Sequence, residues 1–348
     1  MEKDIKKPFV EVAFGRPCDR KPVWFLRQAG RYLPEYREIR KNMSFTDLCK
    51  HPVKAAEVTL QPLKRFDLDA AIIFSDILIP PIGMGQDLSF DGGHGPILTP
   101  PVRSAADLSK LKISGAADSL GYVGDAIQET KKGLTPEQTM IGFAGAPFTV
   151  ASYMIEGQGS KVYTEVKKLI FNEPETFRGL LQGLTEVSID YLKMQVSAGA
   201  DALMLFDTWV GNLTVDHYAE FIKPCMTELF SAIKSAHPEI PVVYYPGQGS
   251  EIYPQLSGFN IDVVAVDWRV SIDRAIRKLA DLGVDASVQG NLDPQTFLAS
   301  DDVLRQEVAK VIERAKGSRG HIFNVGHGLL PHLSPDKLTV AIDEIRRH

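Results

Sequence analysis

Eight short apolar runs, at 23–26, 70–74, 140–143, 202–206, 242–245, 263–266, 286–288 and 321–325, constrain the fold more than any other feature of this chain. Each is rich in Val, Ile, Leu or Phe, and none alternates clearly with polar residues. A strand with one wet face alternates; a strand covered on both faces does not, which is the habit of parallel sheets. Helical patterns lie between the runs. Residues 173–198 carry apolar side chains at helical spacing and stop at Gly199. Residues 271–282 open on a capping Ser271 and stop at Gly283, and residues 301–316 open on acids and end at Lys316 before Gly317, the charge order a helix dipole favours. Alternating strand and helix predicts an α/β fold with right-handed crossovers. Eight such units in 348 residues predict a single-domain (β/α)8 TIM barrel over 1–348, with long loops at the C-terminal face. The last five strands are separated by spans expected to hold one helix each. The longer spans after the first three strands must carry insertions, and 83–118, with Gly92, Gly93, Pro96, Pro100 and Pro101, reads as one loop excursion. The competing open doubly wound sheet lacks its usual mark, a GxGxxG after an early strand.

An apolar content of 44% supports a large core. The 39 Lys and Arg against 44 Asp and Glu leave a net charge of −5, so composition offers no basic face for nucleic acid. Local arginines can still serve an acidic ligand. Cys18, Cys49 and Cys225 are far apart and form no CxxC pair, so they suit neither a disulfide framework nor a closed zinc site. A reduced, cytoplasmic setting is the expectation. The opening MEKDIKKPFVEV has no signal-peptide core, and no stretch has the apolar length of a membrane span.

In a TIM barrel the active site lies at the C-terminal ends of the strands. Polar, charged and glycine residues gather there in this chain. Arg27, Gln28 and Arg31 follow the first run in PVWFLRQAGRYLPEY, Asp76 ends AAIIFSD, and Asp207 and Thr208 follow the fourth run. His327 stands between two glycines after the last. Guanidinium is the best protein binder of carboxylate or phosphate, although an arginine pair can also simply stabilise a loop. A barrel-end aspartate either caps the next helix or meets a ligand's donors. The small residues of GFAGAPFTVASYMIEG let backbone approach a bulky ligand or pack the barrel tightly, and Tyr153 within it suits a half-buried, hydrogen-bonded site. His327 can do acid–base chemistry or hold a carboxylate. No HExxH, P-loop or serine elbow occurs, and no lysine directly follows a strand to form a Schiff base.

PVWFLRQAGRYLPEY and IGFAGAPFTVASYMIEG resemble the two signature regions of the uroporphyrinogen decarboxylase family. FSDIL, LFDTWVG, VDWR, VQGNLDP and HIFNVGHGLLP match it too, in order, from about residue 8 to residue 345. The resemblance implies a TIM-barrel homodimer, without metal or organic cofactor, that removes four acetate carboxylates from uroporphyrinogen to give coproporphyrinogen. It implies that Arg27 and Arg31 bind substrate, with Arg27 also catalytic, and that Gln28 and the Ala29 backbone share their loop. Asp76 matches the aspartate that receives the pyrrole N–H groups, and Tyr153 the active-site tyrosine. Thr208 stands where many members have Ser or Thr, and His327 matches the histidine of the last strand loop. The loop YYPGQGS departs from the more glycine-rich loop expected there. Two rivals remain at this level. A related methyltransferase is expected to hold zinc with His and Cys spaced H-x-C, and YYPGQGS contains neither. A tetrapyrrole carrier would share the pocket without turnover.

Overall fold

The computed structural model of the chain describes residues 6–91 and 95–348. Its centre is a sheet of seven parallel strands hydrogen-bonded in the order of their appearance, apart from one hairpin. The strands are β1 (Ala70–Ile72), β4 (Thr139–Gly145), β5 (Ala202–Asp207), β6 (Val242–Pro246), β7 (Val263–Ala265), β8 (Ser287–Leu292) and β9 (His321–Val325); β2 (Asp87–Asp91) and β3 (Gly95–Thr99) form the hairpin. Every residue of β4, β5, β6, β8 and β9 is buried, as the unbroken apolar runs require of strands covered by helices on one side and by each other on the other.

The first apolar run departs from expectation. It contributes a single parallel bridge, Val23 with Phe323, instead of a strand over 23–26. That bridge still spans the two sheet edges: Phe323 N–H donates to Pro22 O at 2.8 Å on the β9 side, and Asp69 N–H donates to Val23 O at 2.9 Å on the β1 side. Beyond it, side chains replace the ladder. Leu26 N–H donates to Asn324 Oδ1 at 2.9 Å and Phe25 N–H to Gln28 Oε1 at 3.1 Å. The chain then turns sharply, and Arg27 takes a left-handed φ of 66°. Such a φ costs a residue with a Cβ about 1 kcal/mol, so the surrounding bonds must hold it.

The helices Pro174–Ser197, Ile272–Asp281 and Asp301–Arg314 fall where the periodicity places them. Ser271 sits at the N-cap but accepts no backbone N–H; its hydroxyl turns to Asp273. Between β6 and β7 only a 3-10 helix, Ser250–Leu256, fits, because the span is short and Pro254 removes an N–H donor. Residues 83–118 are more ordered than one loop. They hold the hairpin, a helix at Ala105–Leu108 and a 3-10 helix at Ala116–Leu120, while Gly92 and Gly93 lie outside the described residues. This excursion is tied to the helix Pro147–Glu156 by Val102 N–H to Met154 O at 2.9 Å and by Arg103 Nε–H to Ile155 O at 3.1 Å. No described helix is long and apolar enough to cross a membrane.

Candidate active site

Arg27, Asp76, Thr208 and His327 follow the C-terminal ends of barrel strands, or of the bridge at Val23, within a few residues, and Tyr153 lies on the helix Pro147–Glu156 that follows β4. Arg27 is the hub. Its charge reaches Asp76, Tyr153 and His327. Its side chain lies flat on Gly328, where an added Cβ would come within 2.7 Å of Nε. Glycine is needed there for that close approach. Arg27 and Arg31 are both exposed, and neither forms a salt bridge among the described residues. The loop-stabilising alternative therefore has no acidic partner to point to. The Ala29 and Gly30 N–H groups also donate to no acceptor among the described residues, so donors and two guanidinium groups stand together on one loop.

Asp76 fills the first of the roles that its position left open and keeps one oxygen open. Oδ1 accepts the Leu78 N–H at 2.8 Å, shaping the turn into the helix Ile79–Gly83, while Oδ2 makes no hydrogen bond among the described residues. Enclosure by protein pushes the carboxyl up to about 6, against the pull of the Leu78 N–H and of Arg27. Tyr153 is half-buried on the helix Pro147–Glu156, which begins with proline at its first position. Burial raises its hydroxyl's pKa, with Trp209 and Arg27 opposing and Asp76 reinforcing, so it remains a donor at neutral pH. Burial and the charges of Arg27 and Arg269 lower His327 from the ordinary histidine range, and Asp267 only partly offsets them. The ring is then neutral; Nδ1 accepts the Gly328 N–H at 2.8 Å, which leaves the proton on Nε2.

Gln28 is not at the mouth. It is 1% exposed, its Nε2 donates to Ala70 O at 2.9 Å, and its Oε1 accepts Phe25 N–H. Its amide is consumed in tying the arginine loop to β1. Replacing Gln28 with Ala orphans two buried backbone groups at about 1–3 kcal/mol each, so a fall of about 2 kcal/mol or more in unfolding free energy is expected in a denaturant titration. An unchanged midpoint would remove this role. Asn291 Nδ2 is taken by the Asp267 and Val270 carbonyls and Asn324 Oδ1 by the Leu26 and Val325 N–H groups, while the buried Asn324 Nδ2 has no partner among the described residues. The glycines of GFAGA serve packing: a Cβ at Gly142 would meet Gln195 Oε1 at 2.6 Å, and one at Gly145 would meet Val150 at 2.6 Å.

Two further residues, at strand ends in the sequence but given no role from it, take part. Trp209 lies between Tyr153 and Tyr163, with ring centroids 6.3 and 6.2 Å away, and its only signal was adjacency to Thr208. Asp267, 2% exposed, pairs with Arg269 at 3.0 Å and takes the Gln248 N–H at 3.2 Å, building the wall beside His327. Among the described residues no three His, Cys, Asp or Glu side chains stand together as a metal-binding set. Cys49 is buried on the helix Phe45–Cys49 and feels the charge of Asp76, so its thiol stays protonated.

The family profile described as uroporphyrinogen decarboxylase (URO-D) matches residues 4–348. Among curated proteins, the uroporphyrinogen decarboxylase of Myxococcus xanthus is 46% identical over 96% of this chain and 94% of its own length. That of Chloroherpeton thalassium is 42% identical over 97% of this chain and 96% of its own. Among solved structures, a methyltransferase from Methanosarcina mazei superposes with a TM-score of 0.81 at 18% identity, covering 99% of this chain and 98% of its own; at that identity the likeness speaks for the fold alone. With a profile match over nearly its whole length and full-length relatives above 40% identity, the chain belongs to the uroporphyrinogen decarboxylase family.

Proposed function

We propose that the protein decarboxylates the four acetate side chains of uroporphyrinogen, giving coproporphyrinogen in porphyrin biosynthesis. The observation that carries this reading is one carboxylate, Asp76, with an open oxygen at the barrel mouth and within reach of the charge of Arg27, which like Arg31 on the same loop has no acidic partner among the described residues. A porphyrinogen matches that arrangement. It presents pyrrole N–H donors at its centre and carboxylates at its rim.

Each step is RCH2COO⁻ + H⁺ → RCH3 + CO2. Protonation of a pyrrole α-carbon makes the ring cationic. The Cα–carboxylate bond then breaks, its electron pair enters the ring, and an exocyclic methylene forms. Protonation of that methylene gives the methyl, and the α-proton leaves. The ring is its own electron sink, so the chemistry asks for no cofactor. Anionic Asp76 binds the N–H groups and stabilises the cationic ring, with its dipolar surroundings already in place. Arg27, Arg31 and the N–H groups of Ala29 and Gly30 hold rim carboxylates. His327 Nε2–H and the Tyr153 hydroxyl are further donors for them, and Thr208 stands directly after β5. Arginine is a poor proton donor at its ordinary pKa, so Arg27 orients a carboxylate rather than supplying the proton.

The decisive experiment incubates the purified protein with uroporphyrinogen under anaerobic conditions and separates products by carboxylate number. Seven- to four-carboxyl products are expected, and their absence would defeat the reading in favour of a carrier. Arg31→Ala removes an exposed rim contact, so KM should rise about tenfold with kcat nearly kept. Unchanged KM and kcat would take Arg31 out of the site. The family further suggests a homodimer in the cytoplasm, which light scattering and cell fractionation test.

A further inference from the structure

Asp207, at the end of β5, is fully buried and has no cationic partner among the described residues. Hydroxyls hold it instead. Thr149 Oγ1–H donates to Oδ1 at 2.8 Å and the Tyr244 hydroxyl to Oδ2 at 2.9 Å, with the Tyr218 hydroxyl 3.1 Å behind Tyr244. Burying a carboxylate on neutral donors alone is costly, so a feature of this kind needs a return elsewhere.

The return runs through Thr149. Its hydroxyl donates to Asp207 and simultaneously accepts the Trp209 N–H at 3.2 Å. It thereby pins the turn that leaves β5 against the helix Pro147–Glu156. Thr149 and Tyr153 are four residues apart on that helix and so share one face. The Trp209 ring packs beside Tyr153 at 6.3 Å, and Trp209 is the leading neighbour opposing the burial that raises the Tyr153 pKa. Tyr163 also packs against Trp209, with ring centroids 6.2 Å apart.

We propose that Asp207 and Thr149 are positioning residues, which set Trp209 and through it the Tyr153 hydroxyl at the barrel mouth. The inference rests on the decarboxylase reading for its kinetic arm, but not for its spectroscopic one. Asp207 orients the Thr149 hydroxyl so that its lone pair faces the Trp209 N–H; without the carboxylate the hydroxyl is free to rotate. The arrangement acts on substrate only through Tyr153.

Three variants and one cycle test this. Thr149→Val keeps shape and removes the hydroxyl; Thr149→Ser keeps the hydroxyl. We expect Thr149→Val to lower kcat/KM about tenfold, Thr149→Ser to stay within about threefold of the parent, and Tyr153→Phe to lower it at least about tenfold. In the Tyr153→Phe background, Thr149→Val should cost less than about twofold more, because sites acting in series are non-additive. Multiplying costs in the double variant would overturn the proposal, since a merely structural Thr149 acts independently of Tyr153. Separately, acrylamide quenching assigned to Trp209 by difference against Trp209→Phe should increase in Thr149→Val and not in Thr149→Ser. Unchanged quenching overturns the positioning role even if the unmodified protein fails to decarboxylate, and that failure alone strikes only the reading of function.

Discussion

Replacing Asp76 with Asn is expected to reduce decarboxylation of uroporphyrinogen by about 100- to 1,000-fold while leaving the fold intact. Asn keeps an oxygen for the Leu78 N–H, so the turn into the helix Ile79–Gly83 survives. What it loses is the negative charge that we propose meets the cationic ring, and removal of one preorganised electrostatic partner costs about 10²–10³ in rate. A variant with parental melting temperature and near-normal kcat would sink the electrostatic account. The pH profile adds a second check. The proposed active form is the anion, and burial pushes the carboxyl up to about 6, so activity should fall as pH drops through that value. Burial also pushes Asp207 up to about 6, so the limb alone does not assign itself. It should persist in Asp207→Asn and be absent from whatever activity Asp76→Asn retains.

Arg27→Ala should be the next most damaging change, lowering kcat/KM by about 100-fold or more. The charge of one guanidinium reaches Asp76, Tyr153 and His327, so its removal takes away the proposed carboxylate clamp and also shifts its neighbours. The sign of that shift is fixed by Coulomb's law. A cation favours the carboxylate and disfavours imidazolium, so without Arg27 both Asp76 and His327 gain protons more readily and the acid limb moves to higher pH. Arg27→Lys restores the charge without the fork and should restore the limb more fully than the rate. Parental activity in Arg27→Ala, or an acid limb that stays in place, contradicts this assignment.

Much of the fold was legible in the letters because burial on both faces leaves an unmistakable pattern. The apolar runs at 140–143, 202–206, 242–245 and 321–325 became fully buried strands. The run at 23–26 misled, because Trp24 and Phe25 are buried by packing and side-chain hydrogen bonds rather than by a ladder, and hydrophobicity alone does not distinguish these. The missing helix between β6 and β7 reflects a span too short and too interrupted by Pro254 to hold one. In the site, the structure leaves the charged groups of Arg27 and Asp76 open to a ligand and uses both ends of the Gln28 amide within the protein. An amide has donors and acceptors that suit a ligand or a wall equally, and only its neighbours decide.

By itself the sequence determined the class of the fold and the ring of strand ends at which chemistry could gather. Both follow from local pattern: period, punctuation and the residue after each apolar run. Tertiary structure alone decided which of those residues share one space. Arg27 meets Gly328 across 301 positions of chain, and Asp207 is joined to Trp209 through the Thr149 hydroxyl. Those contacts depend on barrel closure, a long-range event that leaves no periodic trace in the chain it joins.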